Sequence, residues 1–174
     1  DLHQLTCQDP DGSAGHDRAG DPDREHAVGK VNQLGYVGVG ARDTDAWRAY
    51  ATDVLGHEVA PWSDEQHLYL RMDEQHHRLT VHPDERDDVV YVGWDVGNPD
   101  NAAQLEKAGV QVTAATPEEA ADRRVVDFVH FVDPHSQLRM ELHYGPEIIY
   151  MPQYHPQRPI SGFKTGDQGM GHFV

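Results

Sequence analysis

Residues 34–59, LGYVGVGARDTDAWRAYATDVLGHEV, and residues 91–112, YVGWDVGNPDNAAQLEKAGVQV, carry the same parts in the same order. Each opens on Tyr-Val-Gly in an apolar strand, passes a polar turn, runs through a helix, stops at a glycine and resumes as a short apolar strand. Tyr36 aligns with Tyr91, and Gly56 with Gly109. A repeat of this length marks a supersecondary unit that cannot bury its own apolar face and needs a neighbour.

The helical parts have physical start and stop signals. Asp43 or Thr44 can cap the first helix, with Trp47, Tyr50 (or Ala51) and Val54 expected on its inward face and Gly56 as the left-handed stop. Asn98 can cap the second, with Pro99 in its first turn, Leu105 and Ala108 facing inward, and Gly109 at its end. Thr116-Pro117-Glu118-Glu119 is a capping-box pattern for a short third helix reaching about Arg124. A hairpin follows in each half. Leu68–Met72 pairs with Arg78–His82 across the polar segment DEQHH, and Val125–Val132 pairs with Leu138–Tyr144 across Asp133-Pro134-His135-Ser136. Each half is therefore β-α-β-β-β. The expected fold class is α+β, two paired βαβββ modules at about 31–88 and 89–145.

Composition bounds the rest. Residues 1–30 are rich in Asp, Gly, Pro and His and poor in large apolar side chains, so a mobile tail is expected there. Four prolines (146, 152, 156, 159) mark 146–168 as an extended linker. Fourteen basic against thirty acidic residues give a formal charge of −16, which argues against nucleic acid, because phosphate binding needs a basic face. The single cysteine, Cys7, cannot make an intrachain disulfide. No run approaches the ~18 apolar residues of a membrane span, and no signal peptide opens the sequence. These features are those of a cytoplasmic protein.

After the linker comes Gly169-Met170-Gly171-His172-Phe173-Val174. Met-Gly-His-Phe-Val lines up with Leu34-Gly35-Tyr36-Val37-Gly38, so 169–174 reads as the opening strand of a third module, with histidine in place of tyrosine.

LGYVGV (34–39), DTDAWRAYATDVLG (43–56), LYLRMD (68–73), ADRRV (121–125), the Asp-Pro of 133–134, ELHYG (141–145) and above all SGFKTGDQGMGHFV (161–174) resemble the type I extradiol ring-cleaving dioxygenases of the vicinal oxygen chelate superfamily, especially the 2,3-dihydroxybiphenyl 1,2-dioxygenase group. The resemblance implies two such domains, the first structural and the second holding Fe(II) on two histidines and a glutamate, a facial triad open to substrate and oxygen. By residue, it places the first metal ligand at His172 and a substrate-lining apolar side chain at Val174. The other ligands fall beyond 174, and no catalytic residue is assigned within the chain. The implied activity is cleavage of a catechol such as 2,3-dihydroxybiphenyl with O2, in a complete enzyme that is expected to form a homo-oligomer. The alternative is a stand-alone small-molecule-binding module of the same fold.

Other residues have blander readings. His82 and Glu141 lie near the ends of the last strands, where related superfamily members supply metal ligands, but two ligands are too few for a secure metal centre, and a structural role is expected. His76-His77 reads as a solvated hairpin tip, since neighbours on a strand point to opposite faces. Trp47, Trp62 and Trp94 read as core packing.

Overall fold

The structure, a computed structural model, describes residues 31–98, 101–166 and 169–171, with the side chains of 101 and 102 left aside. The tail 1–30, Pro99, His172 and Val174 lie outside the described residues. Among those described, eight strands form one sheet in the order β2-β3-β4-β1-β5-β8-β7-β6. The first four are β1 (Gln33–Ala41), β2 (Glu58–Val59), β3 (Leu68–Arg71) and β4 (Leu79–Pro83). The second four are β5 (Val89–Asp95), β6 (Thr113–Ala114), β7 (Val125–Val132) and β8 (Arg139–Pro146). Each module contributes four neighbouring strands, and within each the first strand pairs in parallel with the last.

The modules join through antiparallel pairing of β1 with β5, and the repeated Tyr-Val-Gly sits at the join. Val37 faces Val92, Tyr36 faces Gly93, and Tyr91 faces Gly38. The glycines are dictated by the tyrosines. A Cβ at Gly38 would lie 2.1 Å from the Tyr91 ring, and one at Gly93 would lie 2.3 Å from the Tyr36 ring. Each ring thus lies flat over the other module's glycine, and one tripeptide used twice builds a local two-fold.

The two faces of the sheet differ in chemistry. On the helix-bearing face, Val37, Val39, Leu68, Leu70, Leu79 and Val81 are buried with Ala51 of the first helix, and Trp47 packs partly buried against them. Leu34 joins Val37 on that face despite odd spacing, because a register shift between Leu34 and Tyr36 bulges the strand. The opposite face buries polar groups instead: Arg71, Arg78, Thr80, Glu141 and His143.

Helix α1 (Thr44–Ala49) starts where expected, with the Asp43 carboxylate accepting from the Ala46 amide at 2.8 Å. It then widens into a π-helical segment, Tyr50–Leu55, that ends at Gly56 with φ +86°. The wider turn rotates the face away from α-helical spacing. Ala51 is fully buried, whereas Tyr50 and Val54 are about half exposed, so the expected inward placement of Tyr50 and Val54 is corrected. Helix α2 (Asn101–Lys107) is followed by Gly109 at φ +83°. Leu105 turns inward, but Ala108, beyond the last helical turn, is exposed. Helix α3 (Pro117–Arg123) carries the full capping box, Thr116 with Glu119, and ends at Arg124 in the left-handed conformation.

The segment between β3 and β4 is not a solvated tip. Residues 146–149 return alongside it: Gln75 bridges Ile148, the His76 amide donates to the Glu147 carbonyl at 2.9 Å, and the Ile149 amide donates to the Glu74 carbonyl at 2.6 Å. His76 and His77 are both 4% exposed, which overturns the turn reading.

Candidate functional site

The first strands β1 and β5 present Tyr36 and Tyr91 to the polar face, and the last strands β4 and β8 present Thr80, His82, Glu141 and His143 beside them. Register fixes the internal equivalences. Gly38 pairs with Thr80 and Gly93 with Glu141, while Gly40 pairs with His82 and Asp95 with His143. The counterpart of Glu141 is therefore Thr80, and the counterpart of His82 is His143. The two candidates His82 and Glu141 are not symmetry mates.

Glu141 is fully buried and fully engaged. The Tyr36 hydroxyl donates to its Oε2 at 2.7 Å. Arg123 reaches in from the end of α3 and donates from Nε to Oε2 at 3.0 Å and from Nη2 to Oε1 at 3.3 Å. Arg139 donates from Nε to Oε1 at 2.8 Å and from Nη2 to Glu119 at 2.8 Å. The Arg123 guanidinium also lies over the Tyr91 ring, 3.6 Å from its centroid. The hydroxyl of Tyr91 lies 2.8 Å from His82 Nε2. Asp122, next along α3, takes Arg123 Nη1 and lies 3.0 Å from His67 Nε2 of the first module, so α3 ties the two modules together.

The electrostatics follow from burial. Desolvation, reinforced by the charge of Glu141, raises the Tyr36 hydroxyl well above its ordinary range, so it is a neutral phenol that donates. Burial also raises Tyr91, against the opposing pull of Arg123. Burial opposes the charge on Arg123, but Tyr91 and Glu141 outweigh it and the guanidinium is held more firmly protonated than usual. Burial, helped by Arg123, keeps His82 neutral-leaning.

Two buried histidines flank Tyr36. His143 stacks on its ring with centroids 4.6 Å apart, and His77 lies at 6.2 Å. Gly35 makes room for His143, since a Cβ there would sit 2.0 Å from the imidazole Nε2. Trp62 Nε1 donates to His76 Nδ1 at 3.2 Å, and His77 Nδ1 lies 2.9 Å from the same nitrogen. Burial lowers His76 and His143 to about 4 and holds His77 well below its ordinary value.

This cradle does not suit a divalent metal. Tyr36 and its repeat counterpart Tyr91 put phenol side chains at the first-strand positions of the cradle. Glu141 already carries two arginines. Among the described residues, no three His, Cys, Asp or Glu side chains converge as a metal site. Arg123 supplies the positive charge that the buried carboxylate requires, so Tyr36, Glu141, Arg123 and Arg139 form a charge-compensated network, while the His143 ring nitrogens and His77 Nε2 beside it have no hydrogen-bond partner among the described residues.

Of the tryptophans, Trp47 packs on the core as expected, while Trp62 spends its N–H on His76 and lies against Arg71. Trp94 lines an apolar cavity of about 590 Å³ between α2 and the sheet, with Val96, Leu105, Phe131, Met140 and Leu142. The importance of Arg123 and His143 was not foreseen from the sequence. A signal existed: Arg78-Leu79-Thr80-Val81-His82 matches Arg139-Met140-Glu141-Leu142-His143 in pattern, which aligns Glu141 with Thr80 and His143 with His82.

Residues 34–83 match the family model for the first domain (D1) of the dihydroxybiphenyl dioxygenase BphC. The chain is 40% identical over 149 residues to a biphenyl-2,3-diol 1,2-dioxygenase of Sphingomonas paucimobilis, covering 83% of this chain and 50% of that protein. It is 40% identical over 152 residues to a 1,2-dihydroxynaphthalene dioxygenase of Sphingobium xenophagum, covering 84% of this chain and 51% of that protein. A crystal structure of a catechol 2,3-dioxygenase superposes with a TM-score of 0.77 at 39% identity, over 82% of this chain and 52% of that one. The chain thus spans about half the length of the curated relatives it matches. No helix among the described residues is long and apolar enough to cross a membrane.

Proposed function

We propose, from a chain that resembles the N-terminal half of the type I extradiol ring-cleaving dioxygenases, that it forms the non-catalytic first domain of such an enzyme. The complete protein cleaves the ring of a catechol of the 2,3-dihydroxybiphenyl or 1,2-dihydroxynaphthalene kind with O2, as a homo-oligomer in the cytoplasm. The observation that carries this division of labour is the closed cradle. Tyr36 and Arg123 satisfy Glu141, Arg123 covers the Tyr91 ring and His82 takes the Tyr91 hydroxyl, which supports placing ring cleavage elsewhere.

Residues 31–145 are the paired modules, 146–168 the linker, and 169–174 the opening strand of the catalytic domain. His172 is the first ligand of an Fe(II) that would bring catechol and dioxygen together, and Val174 lines the substrate pocket. The test is His172→Ala in the product of the complete reading frame. Iron content and ring cleavage are both expected to fall to background, while the first domain keeps its melting transition. Wild-type iron content in that variant would sink the assignment.

The apolar cavity beside Trp94 favours a second reading, a module that binds a planar apolar molecule by itself. Saturable quenching of Trp94 fluorescence by naphthalene, lost in Trp94→Phe, would support it.

A further inference from the structure

Arg78 is 3% exposed and sits at a junction rather than in the cradle. Its Nη2 donates to Asp73 Oδ2 at 2.6 Å and its Nε to the same oxygen at 2.9 Å, while Nη1 donates to the Gly35 carbonyl at 3.0 Å. Asp73 in turn accepts from the Gln75 amide at 3.1 Å, and the Thr165 side chain lies near enough to help hold it ionised. Burial pushes the Asp73 carboxyl up, but Arg78 and these hydrogen bonds outweigh it and hold the group ionised. The pair therefore holds the start of β1 and lies beside the end of the linker.

The chain beyond the linker docks at that same point. Gly169 forms a parallel bridge with Leu34, and the Met170 amide donates to the Leu34 carbonyl at 3.2 Å. The Met170 side chain packs against both apolar clusters. Gly169 has φ +62°, and a Cβ there would lie 2.4 Å from the Leu34 carbonyl oxygen and 2.6 Å from Gln33 Oε1. Only glycine fits this seam. Only Met170 and Gly171 stand between Gly169 and His172, which limits how far an error at the seam can be absorbed.

We infer that the seam formed by Leu34, Gly169 and Met170, beside the Arg78–Asp73 pair, is a positioning device through which the first domain sets the segment that leads into His172. The inference rests on the proposed role of His172 and gives the non-catalytic domain a task in the metal site. Arg78, Gly169 and Met170 are positioning residues that touch neither metal nor substrate.

The experiment uses the product of the complete reading frame and its Gly169→Ala and Met170→Ser variants, with Fe(II) affinity measured per folded molecule and melting followed in parallel. Support residues of metal ligands change affinity by about 10–100-fold when removed. A loss of that size is expected in both variants, together with a fall in kcat at nearly constant KM. Arg78→Lys, which keeps the charge but not the fork, is expected to lie between these variants and the wild type. Melting that drops while iron affinity per folded molecule stays at the wild-type value would overturn the inference and leave the role of His172 intact. Absence of stoichiometric iron from the unmodified protein would overturn that role, and the inference with it.

Discussion

Gly93→Ala tests the packing that joins the two modules. The added Cβ would lie 2.3, 2.4 and 2.6 Å from Cε2, Cζ and Cδ2 of Tyr36, where ordinary carbon contact needs about 3.5 Å or more. The ring cannot simply slide away, because His143 stacks on it and its hydroxyl is tied to Glu141 at 2.7 Å. Overpacking of this kind costs about 1–3 kcal/mol, and losing a hydrogen bond to a buried carboxylate adds about 1.5–3 kcal/mol. The expected destabilisation is about 3–5 kcal/mol, or a melting temperature lower by on the order of 10 °C for a domain of this size. Gly109→Ala is the comparison. Unlike Gly93, Gly109 has a positive φ of +83°, but a Cβ there meets nothing within 4 Å, so only backbone strain of about 1–2 kcal/mol is expected. Differential scanning calorimetry of both variants, and of Gly93→Ala combined with Tyr36→Ala, decides the matter. The double variant should be less destabilised than the sum of its parts, because the clash disappears with the ring. A Gly93→Ala protein that melts within about 2 °C of wild type, or strict additivity in the double variant, would refute the packing argument.

Two further outcomes follow from the buried charges. Arg123→Met keeps most of the volume but leaves Glu141 with Arg139 as its remaining cation, and breaking such a buried pair costs about 3–5 kcal/mol in urea unfolding. A change below about 1 kcal/mol would show that Arg123 does not balance the cradle. Stability should also fall on mild acidification. Burial lowers His57, His76 and His143 to about 4 from 6.5, so between those values the unfolded chain binds more protons than the native one. Their contribution is complete above about pH 7 and is lost as pH falls from 6.5 toward 4, each histidine adding a slope of up to about 1.4 kcal/mol per pH unit. Urea midpoints measured from pH 8 to pH 5 should therefore decline, and a flat profile would contradict the neutral, buried state of these rings.

Much of the fold could be read from local chemistry. The twice-used Tyr-Val-Gly, the Asp43 cap, the Thr116–Glu119 box and the glycine stops each act within a few residues, and they reappear in place. What escaped the sequence depends on distant partners. His76 and His77 look like a polar turn until residues 146–149 come back to cover them. The outward turn of Tyr50 and Val54 comes from a π-helical segment, which α-helical spacing does not anticipate. The cradle was half legible. Glu141 stands out in the sequence alongside His82, whereas the register makes Thr80 its counterpart and the fold makes Tyr36 and Arg123 its partners. Arg123 reads as one more charge in a short helix, and only the end of that helix at Arg124 and the burial of Glu141 give it a purpose.

The most direct test of the central claim, that this domain folds around its own cation and leaves the chemistry to a site it does not contain, is an anaerobic Fe(II) titration of the 174-residue chain followed by addition of 2,3-dihydroxybiphenyl and air. The expected result is no stoichiometric binding and no ring-cleavage product. A one-to-one iron site with turnover in this chain would contradict it.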